Sequence, residues 1–275
     1  MTAAQRYREF PRAAAVRLRR TYHAARRRPW GSSQDHPRLD PDGEPIPEFS
    51  TDVGGLLAAH DGRLVHKWVH YLPAYSKEFA RFRDGVPTPD GSTRPLKFLE
   101  IGVSHGGSLE LWRQYFGPRA IIVGIDVDER CASFDGEAGR VRIGSQDDPA
   151  FLRSVVAEMG GVDIVLDDGS HVARHQRTSF DTLYPLLAEG GIYAAEDLHT
   201  AYWARFGGGR RRRGTFVDLL NRLVDDMHEP YHRRGTSALP AGCGLTSISL
   251  YDSLVFLHKG PPREPATITL GRPSF

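Results

Sequence analysis

The sequence is short of several things, and each shortage removes a class of protein. Cysteine occurs only at Cys131 and Cys243, so at most one disulfide can form, and a chain of 275 residues does not need one. No apolar run approaches the roughly 18 residues that a membrane-crossing helix requires. The N-terminus is cationic, but AAAVRLRR has neither the apolar core nor the cleavage site of a secretory signal. Together these absences point to a cytoplasmic chain with no membrane partner. Charge of one sign is also lacking: the net value is +2, which by itself argues for no particular partner. Lysine is scarce, with 4 residues against 32 arginines. Much of the arginine sits in RLRRTYHAARRR (17–28) and GGGRRRRG (207–214), readable as grips for phosphate or nucleic acid, or as a solvated tail and a surface loop. No internal repeat is visible.

What remains is an ordinary globular composition, 40% hydrophobic and 25% charged, in a length that suits one large α/β domain with decoration. Residues 1–52 are rich in Arg, Pro, Gly and Asp and read as an irregular N-terminal arm, with a helix within 3–28. Residues 53–95 form a lead-in: apolar residues at helical spacing over 54–84 (Leu64, Trp68, Leu72, Tyr75, Phe79) predict helix, and VPTPDGSTRP (86–95) a turn-rich linker. From 96 to 262 the pattern alternates. Strands are expected at 96–103, 120–128, 141–145, 162–168 and 192–197. Helices are expected at 106–116, 149–160, 175–191 and 215–228, and an antiparallel hairpin at 247–260. Residues 263–275 form a tail. The alternation argues for a doubly wound, mostly parallel, Rossmann-like sheet covered on both faces.

In such sheets ligands sit at the carboxyl ends of the strands, near the point where strand order reverses. The first strand runs into LEIGVSHGGSLELW, where Gly102, Gly106 and Gly107 let backbone approach a ligand. The second ends in Asp126, placed to accept bonds from ribose hydroxyls. A dinucleotide site wants G-x-G-x-x-G to seat a pyrophosphate. This stretch reads E-x-G-x-x-x-G-G, and the acid Glu100 at its start suits a cationic ligand better, which disfavours an NAD-dependent oxidoreductase. Ser104 and Ser108 fall in the same loop, and Gln146 and Asp147 follow the third strand where an adenine contact or an ordinary turn would stand.

FLEIGVSHGGSLELW…IVGIDVD resembles the first two cofactor motifs of class I S-adenosylmethionine-dependent methyltransferases. The closing hairpin matches the last two strands of their seven-stranded sheet. LDDGSHVARHQ (166–176) and GGIYAAEDLHT (190–200) more narrowly resemble the metal-dependent sugar O-methyltransferases of macrolide and polyketide biosynthesis, and the likeness covers roughly 55–260. It implies S-adenosylmethionine and Mg²⁺ (or another divalent cation) as cofactors. Asp168, Glu196 and Asp197 would hold the metal, and His171 would take the proton from a sugar hydroxyl.

The residues support the same reading. Carboxylates at the tips of neighbouring strands repel one another unless a cation holds them, and all-oxygen ligands favour Mg²⁺. Asp167 should point the other way by strand alternation and is placed with the cofactor contacts. Lids in this fold come from residues before the first strand, which makes His66, Lys67, Tyr71 and Tyr75 candidates for substrate contact, with Trp68 in the core. His175 and His199 stand near enough to touch substrate or to be ordinary histidines. The acceptor would be a small glycosylated molecule or a nucleotide-sugar whose phosphates meet Arg210–Arg213, and relatives of this kind are often homo-oligomers. Phe216, Leu219, Leu220 and Leu223 make an apolar stripe, either a core face or a subunit interface. Competing readings are a nucleic-acid methyltransferase, which the DDGS strand end disfavours, a silent assembly subunit, and an iron site built from His171, His175 and Asp168. The macrolide relatives carry a substantial N-terminal domain where this chain has about 50 irregular residues before the lead-in.

Overall fold

A strand that is apolar on both faces has to be covered on both faces, and the middle of this chain supplies several. The computed structural model, which describes residues 46–232, 237–239, 243–261 and 264–272, joins seven strands into one sheet. They are β1 (Lys97–Ile101), β2 (Ile121–Asp126), β3 (Arg140–Ile143), β4 (Val162–Asp167), β5 (Leu187–Ala195), β6 (Leu245–Tyr251) and β7 (Leu254–Lys259). The spatial order is β3-β2-β1-β4-β5-β7-β6, with β1 to β5 parallel and β7 antiparallel to both of its neighbours. The doubly wound sheet with its antiparallel closing hairpin is therefore as expected. Strand order reverses between β1 and β4, so the cleft for a ligand opens at their carboxyl tips.

Among the described residues six helices cover the sheet: α1 (Asp52–Ala58), α2 (Leu72–Phe79), α3 (Gly107–Phe116), α4 (Pro149–Met159), α5 (Ala173–Leu183) and α6 (Phe216–Met227). On one face, residues of α1 to α3 pack with Phe98, Ile122, Ile164, Ile192 and Phe256. On the other, residues of α4 to α6 pack with Leu99, Val123, Val165, Tyr193 and Val255. Each strand thus sends successive side chains to opposite layers. The first layer centres on fully buried Trp112, whose ring centroid lies 5.3 Å from Tyr75, 5.4 Å from Phe98 and 5.8 Å from Phe79. Two of those partners come from α2, so the lead-in is part of the core.

Several expected boundaries move. The lead-in is not one helix over 54–84: residues between α1 and the short 3₁₀ turn Val69–Tyr71 are extended or bent, and Leu64 is exposed. Gly62 interrupts the pattern, and Pro73 can enter a helix only in its first turn, so α2 starts at Leu72. The linker 86–95 contains a small hairpin, Val86–Pro87 against Thr93–Arg94. The helix expected to reach residue 191 stops at Leu183. Pro185 stands in the 3₁₀ turn that follows, and β5 takes up the chain from Leu187. Of the arm expected to be irregular over 1–52, residues 1–45, with the helix within 3–28 and the first arginine cluster, lie outside the described residues, while its last residues form a 3₁₀ turn, Pro47–Ser50, and enter α1 at Asp52.

The stripe on α6 resolves as core: Phe216, Leu219, Leu220 and Leu223 are buried against the chain's own second layer. Leu219→Ala is expected to cost about 2–5 kcal/mol. Val224→Ser, on the exposed side of the same helix, should stay within about 0.5 kcal/mol of wild type. Urea denaturation of the two variants checks both values.

Candidate active site

Two glycines show how tightly the strand tips are built. Gly102, just past β1, has φ +98°, and a Cβ there would lie 2.3 Å from the Asp168 carbonyl oxygen. The β1 and β4 tips can therefore meet only around a residue without a side chain. At the start of α3, a Cβ on Gly107 would lie 2.2 Å from the Arg63 carbonyl oxygen. The lead-in passes directly over the glycine loop at this point, and the Arg63 amide and guanidinium both bond the Glu110 carboxylate. Asp126, at the β2 tip, accepts from the backbone amides of Ser104 and Asp128 at 2.9 Å each.

The two aspartates that end the fourth strand have different surroundings. Asp167 is fully buried, accepting from Tyr193 Oη at 2.9 Å and Gln146 Nε2 at 3.1 Å. Burial raises its pKa, and those hydrogen bonds oppose the rise. Asp168 is half-buried and faces the lead-in, where its Oδ2 meets Lys67 Nζ at 2.7 Å. That ammonium also lies 2.5 Å from Glu196 Oε1 and 3.8 Å from Glu100 Oε1, and the lysine side chain is only 1% exposed. Burial works against its charge, but Asp168, Glu196 and Glu100 outweigh that and raise its pKa, so the ammonium persists. Glu196, also buried, has its pKa raised by desolvation and then by Asp168, with Lys67 and Tyr75 opposing.

Asp197 and His171 occupy left-handed backbone, with φ of +55° and +56°. That region is uncommon outside glycine, and it is found here on both loops that follow the acidic strand tips. His171 Nε2 lies 3.8 Å from Asp168 Oδ1 and 3.6 Å from Asp197 Oδ2. Asp168, His171 and Asp197 are the group that places one ligand atom from each residue within 4.8 Å of the others. Glu196, expected as the third metal ligand, is outside that group, and its Oε1 accepts from Lys67 and Tyr75. His171 Nδ1 is buried without a hydrogen-bond partner among the described residues.

The remaining sequence candidates divide sharply. Glu100, expected to face a cationic ligand, is fully buried. Its oxygens accept from Ser108 Oγ at 2.8 Å and Trp112 Nε1 at 3.2 Å, which also occupies Ser108. Gln146 bridges Asp167 and Ser179 through Nε2 and takes the Ser170 amide at 2.6 Å through Oε1, so its side chain is committed to the loop. Asp147 accepts from Arg174 and Thr178 of α5. Tyr71 and Tyr75, expected to touch substrate, are fully buried with their hydroxyls on Asp197 and Glu196. His66 is exposed. His199 Nδ1 bonds Ser253 Oγ at 2.5 Å. His175 bonds Ser170 Oγ at 2.8 Å and is not in the Asp168–His171–Asp197 group, so the two-histidine iron arrangement is not assembled. Arg210–Arg213 line a surface hollow of about 440 Å³ with Tyr202 and Asn221. Trp68, read as core, was missed: its Nε1 donates to Asp197 Oδ1 at 3.0 Å. An indole one residue from a lysine aimed at acids was the available signal.

Residues 99–198 match the profile of a methyltransferase domain. The chain carries a methyltransferase domain with the class I fold. It is 38% identical over 228 residues to the 8-demethyl-8-(2-methoxy-α-L-rhamnosyl)-tetracenomycin-C 3'-O-methyltransferase of Streptomyces olivaceus, covering 78% of this chain and 55% of that one. To the 8-demethyl-8-α-L-rhamnosyl tetracenomycin-C 2'-O-methyltransferase of the same organism it is 37% identical over 259 residues, covering 86% and 65%. Among solved structures it is similar to the MycE methyltransferase of mycinamycin biosynthesis in complex with Mg, SAH and mycinamycin VI. That match has a TM-score of 0.66 at 30% identity, over 76% of this chain and 54% of that one. The chain thus spans between about half and two thirds of the length of these relatives.

A divalent cation fits the acids present. Their donors are hard oxygens, and the cluster already gathers around one buried positive charge, the Lys67 ammonium. A test of this electrostatic picture uses Glu100, whose burial pushes its pKa up to about 7, with Lys67 opposing. A carboxyl raised in the folded state loses stability as pH climbs from its unfolded value, near 4.5, through its folded one. With divalent ions chelated, Glu100→Gln should therefore gain melting temperature relative to wild type between pH 5 and 8 and match it at pH 4.5. Thermal scans across that range check the sign.

Proposed function

We propose that the chain is an S-adenosylmethionine- and Mg²⁺-dependent O-methyltransferase acting on a hydroxyl of a sugar or deoxysugar. The observation that carries this reading is the convergence of Asp168, Asp197 and His171 at the β4 and β5 tips, beside the glycine loop of β1. Asp168, Glu196 and Asp197 would hold the cation, and MycE, similar over this region, was crystallised with Mg and SAH. When bound, the cation supplies Lewis acidity that lowers the pKa of a sugar hydroxyl, and the cofactor supplies an electrophilic methyl group.

The chain's own residues do the rest. Asp126 would accept from ribose hydroxyls, and Gly102 leaves room for the close approach of the β1 and β4 tips. His171 Nε2 would take the proton that the acceptor hydroxyl gives up as its oxygen receives the methyl group. For that task the neutral ring carries its proton on Nδ1, the atom left without a partner. Fixing acid, base and acceptor in one geometry contributes as much as the electronic effect.

Methyl transfer to rhamnosylated acceptors and nucleotide-deoxysugars, followed by mass, should require Mg²⁺ and vanish in EDTA. His171→Ala is expected to lower kcat by about 10²–10⁴-fold while Mn²⁺ affinity stays near wild type, whereas Asp168→Asn loses both. Equal product in EDTA would overturn the metal reading. Loss of Mn²⁺ by His171→Ala would make His171 a ligand and not the base. If the acceptor is a nucleotide-sugar, replacing Arg210–Arg213 by serine should raise its KM at least tenfold and leave a rhamnosylated aglycone unaffected.

A further inference from the structure

The three acids of the candidate metal site do not stand alone, because the lead-in reaches each of them. Lys67 Nζ bonds Asp168 Oδ2 at 2.7 Å and Glu196 Oε1 at 2.5 Å. Trp68 Nε1 donates to Asp197 Oδ1 at 3.0 Å. Tyr71 Oη lies 3.0 Å from that same oxygen and 3.1 Å from the Ser253 carbonyl, so its one proton serves either. The same hydroxyl accepts from the Asp197 amide at 3.2 Å, which ties down a backbone held at φ +55°. Tyr75 Oη donates to Glu196 Oε1. These contacts take Asp168 Oδ2, Asp197 Oδ1 and Glu196 Oε1. The opposite oxygens of the two aspartates, Asp168 Oδ1 and Asp197 Oδ2, face His171 Nε2.

We propose that Lys67, Trp68, Tyr71 and Tyr75 are positioning residues that orient the metal-binding carboxylates, engaging one oxygen of each acid so that the free oxygens of Asp168 and Asp197 converge beside His171. The inference rests on the metal reading above and reassigns residues that the sequence suggested for substrate contact or for the core. Their placement favours it. Tyr71 and Tyr75 are four residues apart on one helical face, with Trp68 and Lys67 just before it. Tyr71 and Tyr75 are fully buried, the Lys67 side chain is 1% exposed, and Trp68 is half-buried. Groups that hydrogen-bond metal ligands fix ligand orientation, and losing them typically costs about 10–100-fold in metal affinity.

The test removes donors while keeping rings: Trp68→Phe, Tyr71→Phe and the double variant, titrated with Mn²⁺ by electron paramagnetic resonance and melted in EDTA. The double variant is expected to bind Mn²⁺ at least tenfold more weakly than wild type, each single variant by a smaller factor, with metal-free melting close to wild type. His70→Ala is the control for disturbance of the segment, since its ring bonds the Asp252 carbonyl and none of the acids, and it should bind Mn²⁺ as wild type does. A Mn²⁺ affinity within twofold of wild type in the double variant, or in both singles should the double not fold, would overturn the inference alone. A wild-type protein that takes up no Mn²⁺ would overturn the metal reading and this inference with it.

Discussion

The charge balance around Lys67 is the constraint on which the site depends. Three carboxylates, Glu100, Asp168 and Glu196, surround one ammonium whose side chain is shut away from water. Removing the ammonium would leave these carboxylates without their counter-charge, at a cost of about 3–5 kcal/mol, a large part of a domain's total stability of about 5–15 kcal/mol. The acids therefore cannot be gathered without a cation, and the chain carries one of its own. A divalent ion would add to a cluster that is already partly compensated.

The rest of the architecture serves that gathering. Parallel strands put the β1, β4 and β5 tips side by side, and Gly102 lets the first two touch. The lysine arrives from a segment before the sheet, and that segment is held because Tyr75 and Phe79 belong to the aromatic layer around Trp112. Trp112 also donates to Glu100, so the hydrophobic core and the charged cluster meet at a single indole. Packing and electrostatics are coupled here: displacing the lead-in would unseat the core and uncover the acids together.

Much of this was legible in the sequence because it is local. Alternating apolar runs and helical stripes declare a doubly wound sheet, and acids at strand ends declare a site. What was not legible depends on long-range contact. No spacing rule links Lys67 to Glu196, 129 residues away, so a counter-ion read as a substrate contact. Gln146 and Glu100 sit where cofactor contacts belong, but each finds a nearer partner in the folded chain. The apparent helical period through Leu64 failed because Gly62 and Pro73 break the run, and residues 63–68 are not helical where the chain crosses the glycine loop. The α6 stripe needed the sheet behind it before core and interface could be told apart.

The central claim is that the β4 and β5 acids form one divalent-cation site beside His171. Anomalous diffraction at the manganese edge, from crystals grown with Mn²⁺ and S-adenosylhomocysteine, tests it most directly. A single peak is expected in contact with the carboxylates of Asp168, Glu196 and Asp197, with Lys67 still bonded to its acids. No peak there, or a peak elsewhere on the chain, would contradict it.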